Sequence, residues 1–156
     1  MRGALAALVL PVVVGGCSSG NHAQAACASG QLGVFAVTEG GGGTTVGEFQ
    51  LRNNGSAPCW LRGRPQLSVL DARGHLLGIN ALPPKRRSAV RLGPHDAALV
   101  TFQWHNWCRL TAPAAWRLVL PHGGGTIKSK ADIGRPRCDD SKSPSTLVIS
   151  TFGPPT

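Results

Sequence analysis

The sequence predicts an all-β fold, an antiparallel β-sandwich of about eight short strands, and three observations predict it. Apolar and polar residues alternate with period two in several short windows; 21 glycines and 12 prolines punctuate them; and no window carries a convincing helical period. The pattern is densest in residues 47–69, GEFQLRNNGSAPCWLRGRPQLSV. There Phe49 and Leu51 alternate with Gln50 and Arg52, and Cys59 and Leu61 fall on one side of a strand with Trp60 and Arg62 on the other. Asn54-Gly55 supplies two residues that tolerate positive φ, which predicts a type I′ hairpin joining the two segments. Gly63 and Pro65 then bend the chain before Leu67 and Val69 resume the alternation.

Residues 1–16 stand outside this pattern. Arg2 is their only charge, residues 4–14 are an apolar run interrupted by Pro11, and Val14-Gly15-Gly16-Cys17 closes the segment with small residues before a cysteine. An apolar run of about 11 residues is too short to cross a bilayer, which takes roughly 20, and it suits the core of a signal peptide. The closing tetrapeptide resembles a bacterial lipobox, in which the cysteine receives diacylglycerol and becomes the new amino terminus; Val14 stands where Leu is more common. The competing reading is ordinary secretory cleavage with Cys17 as an incidental thiol. The expected organisation is a lipoprotein signal peptide over 1–16, lipidation at Cys17, a flexible tether over 17–26 and one domain over 27–156. His22 falls on the tether, where solvation is its default.

Within the domain, residues 32–38 (LGVFAVT) read as a strand. The glycines of 39–43 look too flexible to continue it, and with no lysine and no helix after them they read as a hairpin loop rather than a phosphate cradle. Residues 44–51 form the return strand. Asp71 to Gly74 is a turn, 75–79 (HLLGI) a strand, 83–87 a stiff basic loop, and Val90 and Leu92 a short strand ended by Gly93-Pro94. Over 97–104 the alternation is longest, with Ala98, Val100, Phe102 and Trp104 on one face of a central core strand. Trp107 to Pro113 is a loop, 115–120 (AWRLVL) a strand, 122–125 a glycine turn, Ile127 part of a weak strand, 132–144 polar and irregular, and 147–149 a closing strand. One short helix in 83–88 or 111–115 is compatible with the pattern.

About 140 residues follow Cys17, enough for one domain and too few for two. With Cys17 set aside, four cysteines remain, and export to an oxidising compartment favours pairing them. Three connectivities exist. Cys27 with Cys59 and Cys108 with Cys138 is preferred, because each closes a loop of about thirty residues and is worth about 3.5 kcal/mol on the chain-entropy model. No C-x-x-C pair is present, so the spacing fits no structural zinc site.

The net charge is +9, or +8 without Arg2, which suits anionic lipid head groups or acidic envelope polymers. Lys85, Arg86 and Arg87 are its densest point and the candidate patch for such a partner. The competing account is a solvated surface of a chain rich in Arg, Ala, Gly and Pro. No aromatic-basic interleaving points to nucleic acid. For catalysis, G-x-S-x-G, S-x-x-K and H-E-x-x-H are absent. Glu39 and Glu48 are the only glutamates, too little material for a paired-carboxylate site. His95 and His105 stand about 30 Å apart along an extended strand, and His75, His105 and His122 default to the surface. Beyond Met1 the chain has no methionine, and with its cysteines paired it lacks soft ligands for Cu(I). No catalytic residue, metal site or cofactor is expected. Trp104 and Trp116 belong to the core; Trp60 and Trp107 neighbour cysteines and pack on disulfides unless both are exposed, in which case they form a binding patch.

The lipobox, then Cys27, then F-x-L-x-N-x-G-x-x-x-C-x-L-x-G-x-P through Phe49, Asn53, Gly55, Cys59, Gly63 and Pro65 resembles the secreted actinobacterial lipoproteins grouped as domain of unknown function forty-two thirty-two. Gly74, Leu92 to Pro94, Trp104, Cys108, Leu118 to Pro121 and Cys138 extend the likeness, which runs from Cys27 to Phe152. The resemblance implies an immunoglobulin-like or related sandwich, an envelope location and two disulfides, and it brings no activity. Arg64 departs from it, since an aromatic is common before the proline. The expected protein is therefore a lipid-anchored module on the outer face of the cell membrane. It binds an envelope protein or polymer without catalysis, or docks electrostatically on anionic envelope material.

Overall fold

A computed structural model of the chain describes residues 25–41, 43–109, 111–130 and 134–155. The expected signal peptide, Cys17 and His22 lie outside them. Among the described residues there are ten strands rather than about eight, and the only helical piece is a 3-10 turn, Ser29–Gln31. Neither 83–88 nor 111–115 is helical.

One layer is a five-stranded sheet in the order β1 (Leu32–Gly41), β2 (Thr44–Asn53), β7 (Ala97–His105), β10 (Thr146–Ile149), β5 (Asn80–Leu82). The facing layer holds β3 (Cys59–Gly63) paired with β6 (Ser88–Leu92), and β8 (Ala115–Leu120) between β4 (Gln66–Leu70) and β9 (Gly125–Ser129). Every pairing is antiparallel except β5 with β10. The alternation expected over 97–104 is realised: Ala98, Val100, Phe102 and Trp104 are buried, and β7 is the middle strand of its sheet. Their inward face meets Trp116 of β8, whose ring lies 4.4 Å from Phe102 and 5.9 Å from Phe49, so the aromatics of both layers form one core. Gly47 sits opposite Phe102, where an added Cβ would stand 2.5 Å from that ring and 2.5 Å from the Val37 carbonyl. Bare backbone is what lets the ring lie there.

Three local expectations fail for identifiable reasons. β1 does not stop before the glycines: Gly40 pairs with Thr45 and Gly41 with Thr44, because β2 offers ladder partners that a side chain is not needed to reach. Asn54-Gly55 is no hairpin. β2 is already flanked by β1 and β7, so the chain after Asn53 has no edge to fold back on; it crosses to the other layer, and neither Asn54 nor Gly55 takes positive φ. Residues 75–79 form no strand: the Asp71–His75 turn and the local Ile79 N–H bond to the Leu77 carbonyl take up the segment's backbone groups, and beside the open edge of β4 it makes the Leu70–Leu76 bridge and a Leu77 N–H bond to Val69 before β5 begins.

Asn53 organises the crossing. It is fully buried, its Nδ2 donates to the carbonyls of Ala57, Leu92 and Gly93, and its Oδ1 accepts from Gly55 N–H. Disulfides join Cys27 to Cys59 and Cys108 to Cys138, with Cα atoms 4.9 and 4.5 Å apart. The first ties the incoming segment to β3; the second ties the loop after β7 to the segment before β10. Beside the latter, Asn106 at φ 57° donates to the carbonyls of Asp140 and Ser143 and accepts from the N–H groups of Asp139 and Asp140.

Candidate functional site

The β3–β6 pair turns Cys59, Leu61 and Leu92 inward, so period two forces Trp60 and Arg62 of β3, and Ala89 and Arg91 of β6, outward. The register sets Trp60 opposite Arg91 and Arg62 opposite Ala89. Arg62 leans back so that its guanidinium carbon lies 4.5 Å from the Trp60 ring centroid. That is cation–π distance. At the end of the pair Arg64 donates Nη2–H to the Lys85 carbonyl at 2.9 Å, drawing the basic loop onto the same end of the sheet. Arg62, Arg64, Lys85, Arg86, Arg87 and Arg91 therefore share one region, and all six are exposed. Among the described residues no carboxylate lies within ion-pairing distance of any of them. Asp96, the acid closest in sequence to β6, is spent on the following turn, where it accepts from Gly93 N–H at 2.8 Å.

The expected patch of Lys85, Arg86 and Arg87 is thus half of a larger surface. Arg62, Arg64 and Arg91 were not assigned to it by sequence reasoning, because only the β3–β6 pairing brings them there. Their outward phase was legible from the alternation; their neighbours were not. A shallow cleft of about 170 Å³ runs beside Trp60 and Arg62, against Cys27, Pro121 and His122. It is below the roughly 300 Å³ at which small-molecule sites begin. A second group of exposed arginines, Arg109, Arg135 and Arg137, surrounds the Cys108–Cys138 disulfide.

The histidines stay apart. His75 Nδ1 is 3.5 Å from Asp71 Oδ2 in the turn after β4, His105 Nδ1 pairs with Thr44 Oγ1 at 2.9 Å, and His122 lies at the cleft. Among the described residues no three His, Cys, Asp or Glu side chains gather as a metal set. Glu39 and Glu48 do approach each other: Glu39 faces Val46 and Glu48 faces Val37, which makes them diagonal neighbours on the outer face of the five-stranded sheet. That face is open, with Phe35, Val37, Val46 and Val148 also exposed. Trp104, Trp107 and Trp116 are buried, and Trp107 packs on Trp104 at 5.6 Å; an exposed Trp60–Trp107 patch does not form. The carboxyl of Asp71 is held below its ordinary value, first by the His75 N–H and also by the Arg73 N–H; that of Asp140 is lowered by the Ser143 hydroxyl and the Lys142 N–H.

These features define a small, disulfide-tied β-sandwich with a cationic sheet face on one layer and both glutamates on the other. The chain belongs to the family described as Domain of unknown function (DUF4232), whose model matches residues 27–143. The match stops short of β10, whereas the resemblance read from the sequence runs to Phe152. No curated protein and no solved structure matches the chain.

Proposed function

We propose that the protein is a non-enzymatic binding module of the cell envelope, held outside the membrane by lipid at Cys17, whose β3–β6 face takes an anionic partner. One observation carries this reading: Arg62 and Arg91 flank a half-buried tryptophan, Arg64 and the Lys85–Arg87 loop gather at the end of the same strand pair, and among the described residues none of these cations has a carboxylate within ion-pairing distance. Unpaired charge at that density is favourable only against water or an opposite charge. Two further features agree with it. The Val14-Gly15-Gly16-Cys17 segment fits lipid attachment, and two disulfides suit an oxidising compartment. A reading without catalysis also fits a fold in which, among the described residues, no three His, Cys, Asp or Glu side chains gather and the glutamates lie on an open sheet.

Binding of the full chain to polyphosphate, followed by fluorescence anisotropy, tests the face. Affinity should fall steeply between about 0.02 and 0.2 M salt, as screening shortens the reach of exposed charges. Arg87→Glu with Arg91→Glu should remove most of it. Binding indifferent to both salt and these substitutions would refute the reading. The anchor is tested separately by incorporation of labelled fatty acid, which Cys17→Ala should abolish.

A further inference from the structure

We propose that the anionic partner of the β3–β6 face is the membrane surface itself, so that the domain lies on the lipid head groups beside its own anchor. The inference rests on the reading above and names the ligand of that face: anionic phospholipid head groups.

The path of the chain is the first argument. Ala25 and Ala26, which the sequence reading placed in the tether, belong to the sheet: Trp60 N–H donates to the Ala25 carbonyl at 2.9 Å and Cys27 N–H to the Trp60 carbonyl at 3.0 Å. The described chain therefore begins along the edge of β3, next to the cations. Cys17 is eight residues before Ala25. Eight residues reach at most about 28 Å when fully extended. A lipid at Cys17 thus confines the cationic face to a thin layer above the bilayer, where a weak electrostatic contact becomes an intramolecular one.

The shape of the site is the second. Outward side chains of a two-stranded sheet form an open face, here with only a shallow cleft beside Trp60, and an open array of cations meets a head-group surface more fully than it meets a single polymer thread. Arginines dominate it, and their forks suit phosphate oxygens. Trp60, with an apolar body and a polar N–H, is the residue type that settles at head-group depth. Charge segregation is the third. Glu39 and Glu48 sit on the outer face of the opposite layer with Arg52 as the cation of that face, so it carries far less positive charge than the β3–β6 face and a negative membrane favours the latter. In the docked orientation Phe35, Val37 and Val46 face away from the lipid.

Trp60 reports the contact directly, because the other three tryptophans are buried. The chain purified from membranes is reconstituted in vesicles of phosphatidylcholine alone or mixed with phosphatidylglycerol, and quenching by neutral acrylamide is measured. In the anionic vesicles Trp60 should be shielded several-fold, and added salt should restore quenching. Each cation removed should weaken docking about fivefold, so Arg87→Glu with Arg91→Glu should abolish the shielding. The same charge change at the other disulfide, Arg135→Glu with Arg137→Glu, should leave it intact. Equal quenching in both kinds of vesicle overturns the proposal, and this comparison stands on the unaltered chain even if a variant folds poorly. Should polyphosphate shield Trp60 while vesicles do not, the lipid assignment falls and the anionic-partner reading survives. Shielding by neither removes both.

Discussion

Replacing Asn53 tests the corner on which the two layers depend. Asn53→Ala keeps the backbone bonds of this residue, His95 N–H to its carbonyl at 2.8 Å and its own N–H to Asp96 at 2.9 Å, and deletes only the side-chain contacts. The amide's two hydrogens serve three carbonyls, at 2.9 Å from Ala57, 3.2 Å from Leu92 and 3.1 Å from Gly93, while its oxygen accepts from Gly55 N–H at 2.9 Å. Counting three effective hydrogen bonds at about 1 kcal/mol each, and adding about 1 kcal/mol for carbonyls left dry behind a fully buried side chain, gives a loss of about 4 kcal/mol. Typical domains have about 5–15 kcal/mol in hand, so the variant should be folded but much weakened. Asn53→Asp sharpens the test. A carboxylate aimed at three carbonyl oxygens is repelled and desolvated, so its pKa in the folded state should rise above the unfolded value. The sign follows: the penalty is greatest above the raised pKa and shrinks as pH falls through it, opposite to ordinary acid denaturation. Urea unfolding followed by tryptophan fluorescence at several pH values measures both. A loss under about 1 kcal/mol for the alanine variant, or an aspartate variant as stable as the parent at neutral pH, would refute the assignment. Asn54→Ala, at an exposed neighbour, should stay within about 0.5 kcal/mol.

Removing the second disulfide by Cys108→Ala with Cys138→Ala opens a loop of 30 residues and should cost about 3.6 kcal/mol on the chain-entropy model, read as a lower urea midpoint. Opening Cys27–Cys59 should cost a similar amount and in addition raise acrylamide quenching of Trp60, since that bond holds the segment paired with Trp60. Asp71, whose carboxyl is lowered in the fold, stabilises its turn at pH values above the unfolded carboxylate value, and that contribution is lost as pH falls through the lower folded value. The His75 and Arg73 amide resonances should accordingly titrate together with a midpoint below the ordinary 3.8, and a midpoint at or above it would remove the turn's claimed role.

Where period two was strong, the sequence and the fold agree to within a few residues at the strand ends. Residues 115–120 became β8 without shift, and the inward set of β7 is the one its alternation marks. What was illegible is pairing. Asn54-Gly55 has the chemistry of a hairpin, but turn chemistry acts only when the strand before it has an open edge, and β2 has none. The same blindness split the cationic surface: Lys85, Arg86 and Arg87 are adjacent in sequence and visible at once, while Arg62 and Arg91 are 29 positions apart and meet only through the β3–β6 register. The two glutamates, read as separate exposed residues, became diagonal neighbours in the same way.

Register also explains why the candidate face and the first disulfide stand or fall together. A strand with period two has only two phases, and a slip of one residue would send Trp60 and Arg62 into the core and Cys59 and Leu61 to solvent. Apolar preference alone holds the observed phase weakly, since Trp60 could be buried as readily as Leu61. The Cys27–Cys59 bond removes that ambiguity: it places Cys59 inside, with its Cα 4.9 Å from that of Cys27, and so commits Trp60 and Arg62 to the outside. Asn53 performs the matching task on the partner strand by donating hydrogen bonds to the carbonyls of Leu92 and Gly93, which sets where β6 ends and therefore which residue faces Trp60. The motif from Phe49 to Pro65 thus specifies more than a strand and a corner. It fixes the phase of β3 and the end of β6, and those two constraints are sufficient to put the arginines of both strands on one surface.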